Sequence, residues 1–103
     1  MFNSVNAAIV LCELCQRFIY HSSREELITI NETQDWFYHT IDAMEDRLGI
    51  TRKEQDHAIS ILKHFGVIAT IVKGVPPRRF FLLLPERIAE LVHNSNNLYN
   101  LSK

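Results

Sequence analysis

The sequence predicts a single α+β domain, mainly α, from three observations. Apolar residues recur at helical spacing in several separate stretches of the 103-residue chain. Two β-branched or aromatic runs, residues 67–72 and 78–84, flank the turn chemistry of Lys73-Gly74-Val75-Pro76-Pro77, which predicts an antiparallel hairpin. The composition, 47% hydrophobic and 22% charged, is typical of a small packed domain. We therefore expect one folded domain over residues 1–94 and a polar tail over residues 95–103.

The first helix is predicted to begin at a cap, Asn3 or Ser4, and to run to about residue 20. Its apolar stripe predicts the buried side, which consists of Val5, Ala8, Leu11, Cys12, Cys15, Phe18 and Ile19. Ile9, Val10 and Leu14 add apolar surface outside the stripe, so the apolar face is broader than a surface helix needs. Two explanations stay open: burial under both the core and the terminal segment, or a subunit interface.

The two cysteines, Cys12 and Cys15, have a spacing that also occurs in zinc and redox sites. The sequence contains no second pair of this kind, and His21 alone does not complete a metal site. Because both cysteines fall on the apolar stripe, we expect buried core residues that behave as small hydrophobic groups. No metal and no cofactor is expected.

Short strands are predicted between the first and second helices. Residues 21–26 are polar and predict a loop or a fraying helix end, and residues 27–30 predict a short strand followed by a turn at 31–34. Residues 36–38, Trp-Phe-Tyr, predict an aromatic strand that pairs with the hairpin. Such aromatic side chains can stack on nucleic-acid bases, but behind the helices we expect them to pack in the core.

Two further helices follow, joined by a tight glycine turn at Gly49. Thr40 is predicted to cap a helix over residues 41–48, whose buried side is Ile41, Met44 and Leu48. Thr51 and Glu54 form a capping box that begins the next helix, and Gly66 ends it. Helical spacing places one set of side chains inward, namely Gln55, Ala58, Ile59, Leu62 and Phe65, and the opposite set outward, namely Lys53, His57, Ser60 and His64.

The last helix is predicted to begin at Pro85, at a position where proline is tolerated. Its apolar stripe is Ile88, Leu91 and Val92, and the polar run over residues 93–97 weakens it. The tail then carries apolar residues, Leu98, Tyr99 and Leu101, for which docking on a partner subunit and disorder are both open.

Helix, glycine turn, helix, strand, basic turn and strand is the order of a winged helix-turn-helix. Over about residues 5–92 the chain resembles the N-terminal DNA-binding domains of phage and plasmid replication initiators, the replisome-organiser and DnaD-like proteins. The stretches that carry the resemblance are Trp36-Phe37-Tyr38-His39-Thr40, Leu48-Gly49-Ile50-Thr51-Arg52-Lys53-Glu54-Gln55, Leu62-Lys63-x-Phe65-Gly66-Val67-Ile68 and Lys73-Gly74-Val75-Pro76-Pro77-x-Arg79-Phe80-Phe81. The resemblance implies duplex DNA binding through the second helix of the motif and the wing.

The distribution of charge favours the same surface, although the net charge of the whole chain is only −1. Residues 51–79 contain six basic and two acidic residues, a net charge of +4, while the remainder contains five basic and ten acidic residues, a net charge of −5. Asp56 is the acidic exception; it can pair with Arg52 or accept from a cytosine amine. The expected DNA-binding residues are Arg52, Lys53, Asp56, His57, Ser60, Lys63, His64, Lys73, Arg78 and Arg79.

The function that we expect is duplex DNA binding in replication initiation or transcription control. A protein–protein interaction module with a winged-helix fold is the alternative, which the near-neutral charge and the apolar first helix favour. No phosphate-binding glycine loop, nucleophile elbow or metal-ligand pair occurs, so no enzyme is expected. Further candidate partners are a second copy of the chain, reading half-sites about 34 Å apart, and a replication or regulatory protein. With no apolar run of bilayer length and no secretion signal, we expect a cytoplasmic protein.

Overall fold

The helices pack against a four-stranded antiparallel sheet. The computed structural model describes residues 4–91 and 93. The elements are α1 (Val5–Ser23), β1 (Ile28–Ile30), β2 (Thr33–Tyr38), α2 (Ile41–Leu48), α3 (Arg52–His64), β3 (Ile68–Lys73) and β4 (Arg78–Leu83), and residues 85–91 form a further helix, α4. The predicted α+β class is confirmed. The predicted tail at residues 95–103 lies outside the described residues.

The sheet is larger than the hairpin predicted from the sequence, with the strand order β1-β2-β4-β3. β3 and β4 form the predicted hairpin, with Lys73 opposite Arg78 at one end and Ile68 opposite Leu83 at the other. The aromatic strand β2 pairs with β4, as predicted, and places Phe37 opposite Phe81. Both strands of the hairpin are therefore fixed to the domain through β4.

The core lies between α1, α3 and the inner side of the sheet. Phe37 and Phe81 are both buried, with their ring centroids 6.1 Å apart. Leu14 of α1, Met44 of α2 and Leu62 of α3 are fully buried in the same apolar cluster. The expectation that the aromatic strand packs in the core is confirmed for Trp36 and Phe37, which are buried, and is wrong for Tyr38, which is 39% exposed.

α1 is rotated about its axis relative to the prediction. Its buried residues are Ala7, Val10, Glu13, Leu14 and His21. Val5 is 75% exposed, Ile19 is 65% exposed and Cys12 is also exposed, so the predicted buried stripe is wrong at these positions, while Leu11 and Phe18 are partly buried against the core. The expectation of two core cysteines is wrong for Cys12, and Cys15 is half-buried.

A buried polar cluster explains this rotation. Glu13 Oε2 accepts hydrogen bonds from His39 Nε2 at 3.0 Å and from Arg47 Nε at 2.6 Å. Both Glu13 and His39 are at most 3% exposed, and a buried carboxylate needs such partners to offset its lost hydration. Burial lowers the pKa of His39 despite the neighbouring Glu13, because the charged imidazolium would lose its water. We therefore assign His39 as neutral, with its proton on Nε2.

α1 also ends later than predicted, at Ser23 instead of about residue 20. His21 stacks on Phe37 with 6.0 Å between ring centroids and also contacts the Tyr38 ring. These contacts hold the last turn of the helix against β2, so much of the predicted loop at residues 21–26 is helical. β1 lies within the strand predicted at residues 27–30, and α2 has the predicted bounds, with Thr40 Oγ1 accepting from the Ala43 amide at 3.1 Å.

Candidate nucleic-acid interface

α3 is defined at both ends by local chemistry that the sequence predicts. Thr51 Oγ1 accepts from the Glu54 amide at 3.2 Å, and Glu54 Oε1 accepts from the Thr51 amide at 2.9 Å. The hydrogen bond from the Thr51 backbone lowers the pKa of Glu54, because it stabilises the ionised carboxylate. After the helix, Gly66 has φ = 73°, a left-handed conformation in which glycine has no Cβ penalty. The predicted capping box and glycine stop are confirmed.

The rotation of α3 is also as predicted. Its buried residues are Gln55, Ala58, Ile59 and Leu62, and Phe65 at its end is half-buried. The opposite side chains are all exposed, namely Arg52, Lys53, Asp56, His57, Ser60, Lys63 and His64. A shallow depression of about 370 Å³ lies on this side of the helix, and it is lined by His57, Ser60 and His64 together with the apolar Ile61 and Phe65.

Gln55 fixes this helix relative to the rest of the domain. Its Nε2 donates to the Ile41 carbonyl at 3.0 Å and lies 3.4 Å from the Ile50 carbonyl, while its Oε1 accepts from Arg79 Nη2 at 3.0 Å. One fully buried side chain thus joins α3 to the start of α2, to the turn before α3 and to β4. The angle between the exposed face of α3 and the hairpin is held by these bonds.

Arg79 differs from the other candidate residues because its side chain is only 13% exposed. Besides donating to Gln55, its guanidinium lies over the Phe81 ring at 4.9 Å and its Nη1 is 4.0 Å from Asp56 Oδ1. Burial lowers the pKa of Arg79, and Asp56 opposes that shift. Asp56 therefore pairs with Arg79 and not with Arg52, and Arg79 positions the hairpin against α3.

The end of the hairpin presents two cations. Lys73 and Arg78 are opposite each other in the register of β3 and β4, and both are exposed. The Arg78 guanidinium lies 5.1 Å from the centre of the Tyr38 ring, a cation–π contact that restricts where the arginine can point. Arg78 is thus a partly ordered cation, which costs less entropy to place on an anion than a free side chain.

A groove of about 380 Å³ connects the hairpin to α3. Its lining residues are Thr40, Ile41, Arg52, Asp56, Val72, Pro77, Arg78 and Arg79. The groove brings Arg52 and Arg78 together although 26 residues separate them in sequence. The exposed candidates form two groups, one in this groove and the other along His57, Ser60 and His64; Lys53, Lys63 and Lys73 line neither depression.

Sequence reasoning missed the residues that position this surface. Gln55 was predicted to face inward, but its bonds to α2 and β4 were not predicted; a polar residue inside an apolar stripe is the signal for such bonds. Arg87 of α4 donates from Nε to the Phe65 carbonyl at 2.9 Å, which joins α4 to the end of α3. No local pattern indicates the Arg87 contact, because its partner lies 22 residues away.

Comparison with known proteins yields no match to a family model, to a curated protein or to a solved structure. Among residues 4–91 and 93, no three or more His, Cys, Asp or Glu side chains are grouped so that they could hold a metal ion. The same part of the chain contains no helix with both the length and the apolar character needed to cross a membrane.

Proposed function

We propose that this protein is a winged-helix module that binds duplex DNA in replication initiation or transcription control. α2 and α3 are the helix-turn-helix, α3 is the recognition helix and the β3–β4 hairpin is the wing. The observation that carries the proposal is the exposed polar face of α3 standing beside the cationic end of the hairpin, with Gln55 and Arg79 fixing one to the other. The proposed function is binding, without catalysis.

The dimensions of a recognition helix support this assignment. α3 has 13 residues and begins with a capping box. The major groove of B-DNA is wide enough to admit an α-helix. Its outward side chains include His57 and Ser60, which can hydrogen-bond to base edges. In this proposal Arg52, Lys73 and Arg78 contact phosphates on either side of the groove, contacts that orient a protein but carry little sequence information.

Arg78→Ala is expected to weaken binding to preferred and random duplexes alike. Because one fewer counterion is released, the slope of log Kd against log salt should fall by about one unit. Fluorescence anisotropy at several salt concentrations measures both effects. Arg24→Ala is the matched control, since Arg24 is an exposed arginine that follows α1, lies outside α3 and the wing, and pairs with Glu26; an equal loss for both variants would contradict a role for the wing.

Ser60→Ala and His57→Ala are expected to act differently from the wing variant. If these side chains meet base edges, each change should cost about 1–3 kcal/mol on the preferred duplex and much less on random DNA. The preferred duplex is first selected from a random pool and then compared with a scrambled version by anisotropy. Equal losses on both duplexes for every α3 variant would remove sequence readout by this helix.

A protein–protein interaction module with the same fold is the second candidate, and the exposed apolar surface of α1 favours it. Val5 and Ile19 are each more than half exposed on that helix. Wild-type protein that binds no duplex even at about 50 mM salt would replace the DNA-binding proposal with this one.

A further inference from the structure

The outer face of α1 has the composition of an interface. At 100° per residue, the exposed positions form an arc centred on Cys12. From residue 5 to residue 20 they are Val5, Ala8, Ile9, Cys12, Gln16, Ile19 and Tyr20, and all of them are uncharged. The acidic and basic residues of the helix lie elsewhere: Glu13 and His21 are buried and Arg17 is half-buried.

The outer face of α1 departs from what a solvated helix requires. A surface helix keeps charged residues outward and apolar residues inward. In α1 a carboxylate is buried, while Val5 is 75% exposed, Ile19 is 65% exposed and Ile9 is 39% exposed. The exposed apolar residues extend from Val5 to Ile19, a length of about 21 Å along the helix, so the outer face offers an extended strip to another surface.

The strip is complementary to itself when two copies run antiparallel. With Cys12 on the two-fold axis, a residue near the centre line of the strip faces the residue at the same distance on the other side of position 12. Val5 then meets Ile19 of the second copy and Cys12 meets Cys12, because positions 5 and 19 each lie within about 20° of position 12 around the helix. Apolar residues meet at both ends, cysteines meet at the centre, and the opposed helix dipoles attract.

We propose that the outer face of α1 binds a second copy of this chain in an antiparallel helix pair with Cys12 on the two-fold axis. A depression of about 310 Å³ between α1 and α2 opens on the same face and gives room for side chains of the second copy; α2 contributes Leu48 and Arg47, whose charge is paired with Glu13. α3 packs on the other side of α1, so its exposed face stays available in the dimer. The proposal does not depend on DNA binding, and its tests contain no DNA.

The expected dimer is weak, because one helix face is a small interface. With less than about 1,200 Å² buried in total, a dissociation constant on the order of 10 µM is expected. Sedimentation of the reduced full chain from about 1 to 200 µM should show a monomer–dimer equilibrium in this range. A monomer throughout that range would overturn the proposal.

The antiparallel register is tested by introducing opposite charges at the two ends of the strip. Val5→Glu and Ile19→Lys are each expected to weaken dimerisation by about tenfold or more, since each places an unpaired charge against an apolar side chain. Both substitutions suit the dipole of α1 and occupy exposed positions, so the monomer should keep its thermal stability. The double variant should dimerise more tightly than either single variant, because each new carboxylate faces a new ammonium. A double variant weaker than both would contradict the antiparallel arrangement.

Disulfide trapping tests the position of the axis. Two Cys12 residues at a two-fold axis fall within the Cα separation of about 4.4–6.8 Å that a disulfide needs. The protein is held at 50 µM (roughly five times the expected Kd) and is oxidised mildly with copper phenanthroline. Wild type and Cys15→Ser should then give a covalent dimer, and Cys12→Ser should give little. Burial raises the pKa of the Cys15 thiol, which makes it the slower thiol to react. Cross-linking that needs Cys15 instead of Cys12, or that persists undiminished in Ile19→Lys, would contradict the proposed register.

Discussion

Leu62→Ala is expected to lower the free energy of unfolding by about 2–5 kcal/mol. Leu62 is fully buried where α3 meets α1 and the sheet, so the truncation removes apolar contacts and leaves a cavity in a close-packed core. Alanine favours helix formation slightly more than leucine does, so the loss cannot come from helix propensity. The total stability of a small domain is about 5–15 kcal/mol, and the variant should therefore unfold at much lower urea concentration.

The exposed neighbour provides the control for this measurement. Lys63→Ala changes the next residue of α3 on its outward side and should alter stability by no more than about 0.5 kcal/mol. If Leu62→Ala costs less than about 1 kcal/mol, α3 is rotated differently in solution. The outward face on which the DNA-binding proposal depends would then be assigned to the wrong residues.

Glu13→Ala is expected to cost about 2–4 kcal/mol, because it leaves His39 buried without its hydrogen-bond acceptor and removes the partner of Arg47. Glu13→Gln keeps the shape and an acceptor for His39 but loses the charge that attracts Arg47, so its cost should be smaller. Urea unfolding of both variants at pH 7.5 measures the difference. Equal stability of wild type and Glu13→Ala would mean that Glu13 is not buried in this cluster.

The same cluster makes stability depend on pH through His39. Burial lowers the pKa of His39 below its ordinary value of 6.5, so the unfolded chain binds a proton at a higher pH than the folded one. The contribution of neutral His39 is therefore complete above about pH 6.5 and is lost as the pH falls from there through the folded-state pKa. His39→Gln should show a smaller fall in stability between pH 7.5 and 5.5 than wild type does, and an unchanged fall would exclude His39 as the source.

For the expected DNA-binding residues, the sequence predicted side-chain exposure better on α3 than on β4. The seven on α3 are all exposed, because the spacing of the apolar residues determines which side of a helix faces the core. The two arginines at the start of β4 have identical side chains and adjacent positions, yet Arg78 is exposed and Arg79 is bound to Gln55. Strand alternation indicates that they point to opposite faces, but the distant glutamine decides which of them is held.

The sequence alone determined the elements whose signals are local. Thr40 and Thr51 begin α2 and α3, and Gly66 ends α3, because a cap or a left-handed turn involves residues only three or four positions apart. The hairpin follows in the same way from the turn chemistry between its two strands. For these elements, the chemistry of neighbouring residues is sufficient to predict where each one begins or ends.

Only the tertiary structure decided the rotation of α1. Its sequence contains a nearly continuous apolar surface, so the spacing of apolar residues does not select one side for the core. The selection comes from Glu13, which is buried because His39 and Arg47, 26 and 34 residues further along the chain, supply its hydrogen bonds. Since a buried carboxylate is stable only with such partners, their position turns Val5, Cys12 and Ile19 outward and leaves an apolar strip on the surface.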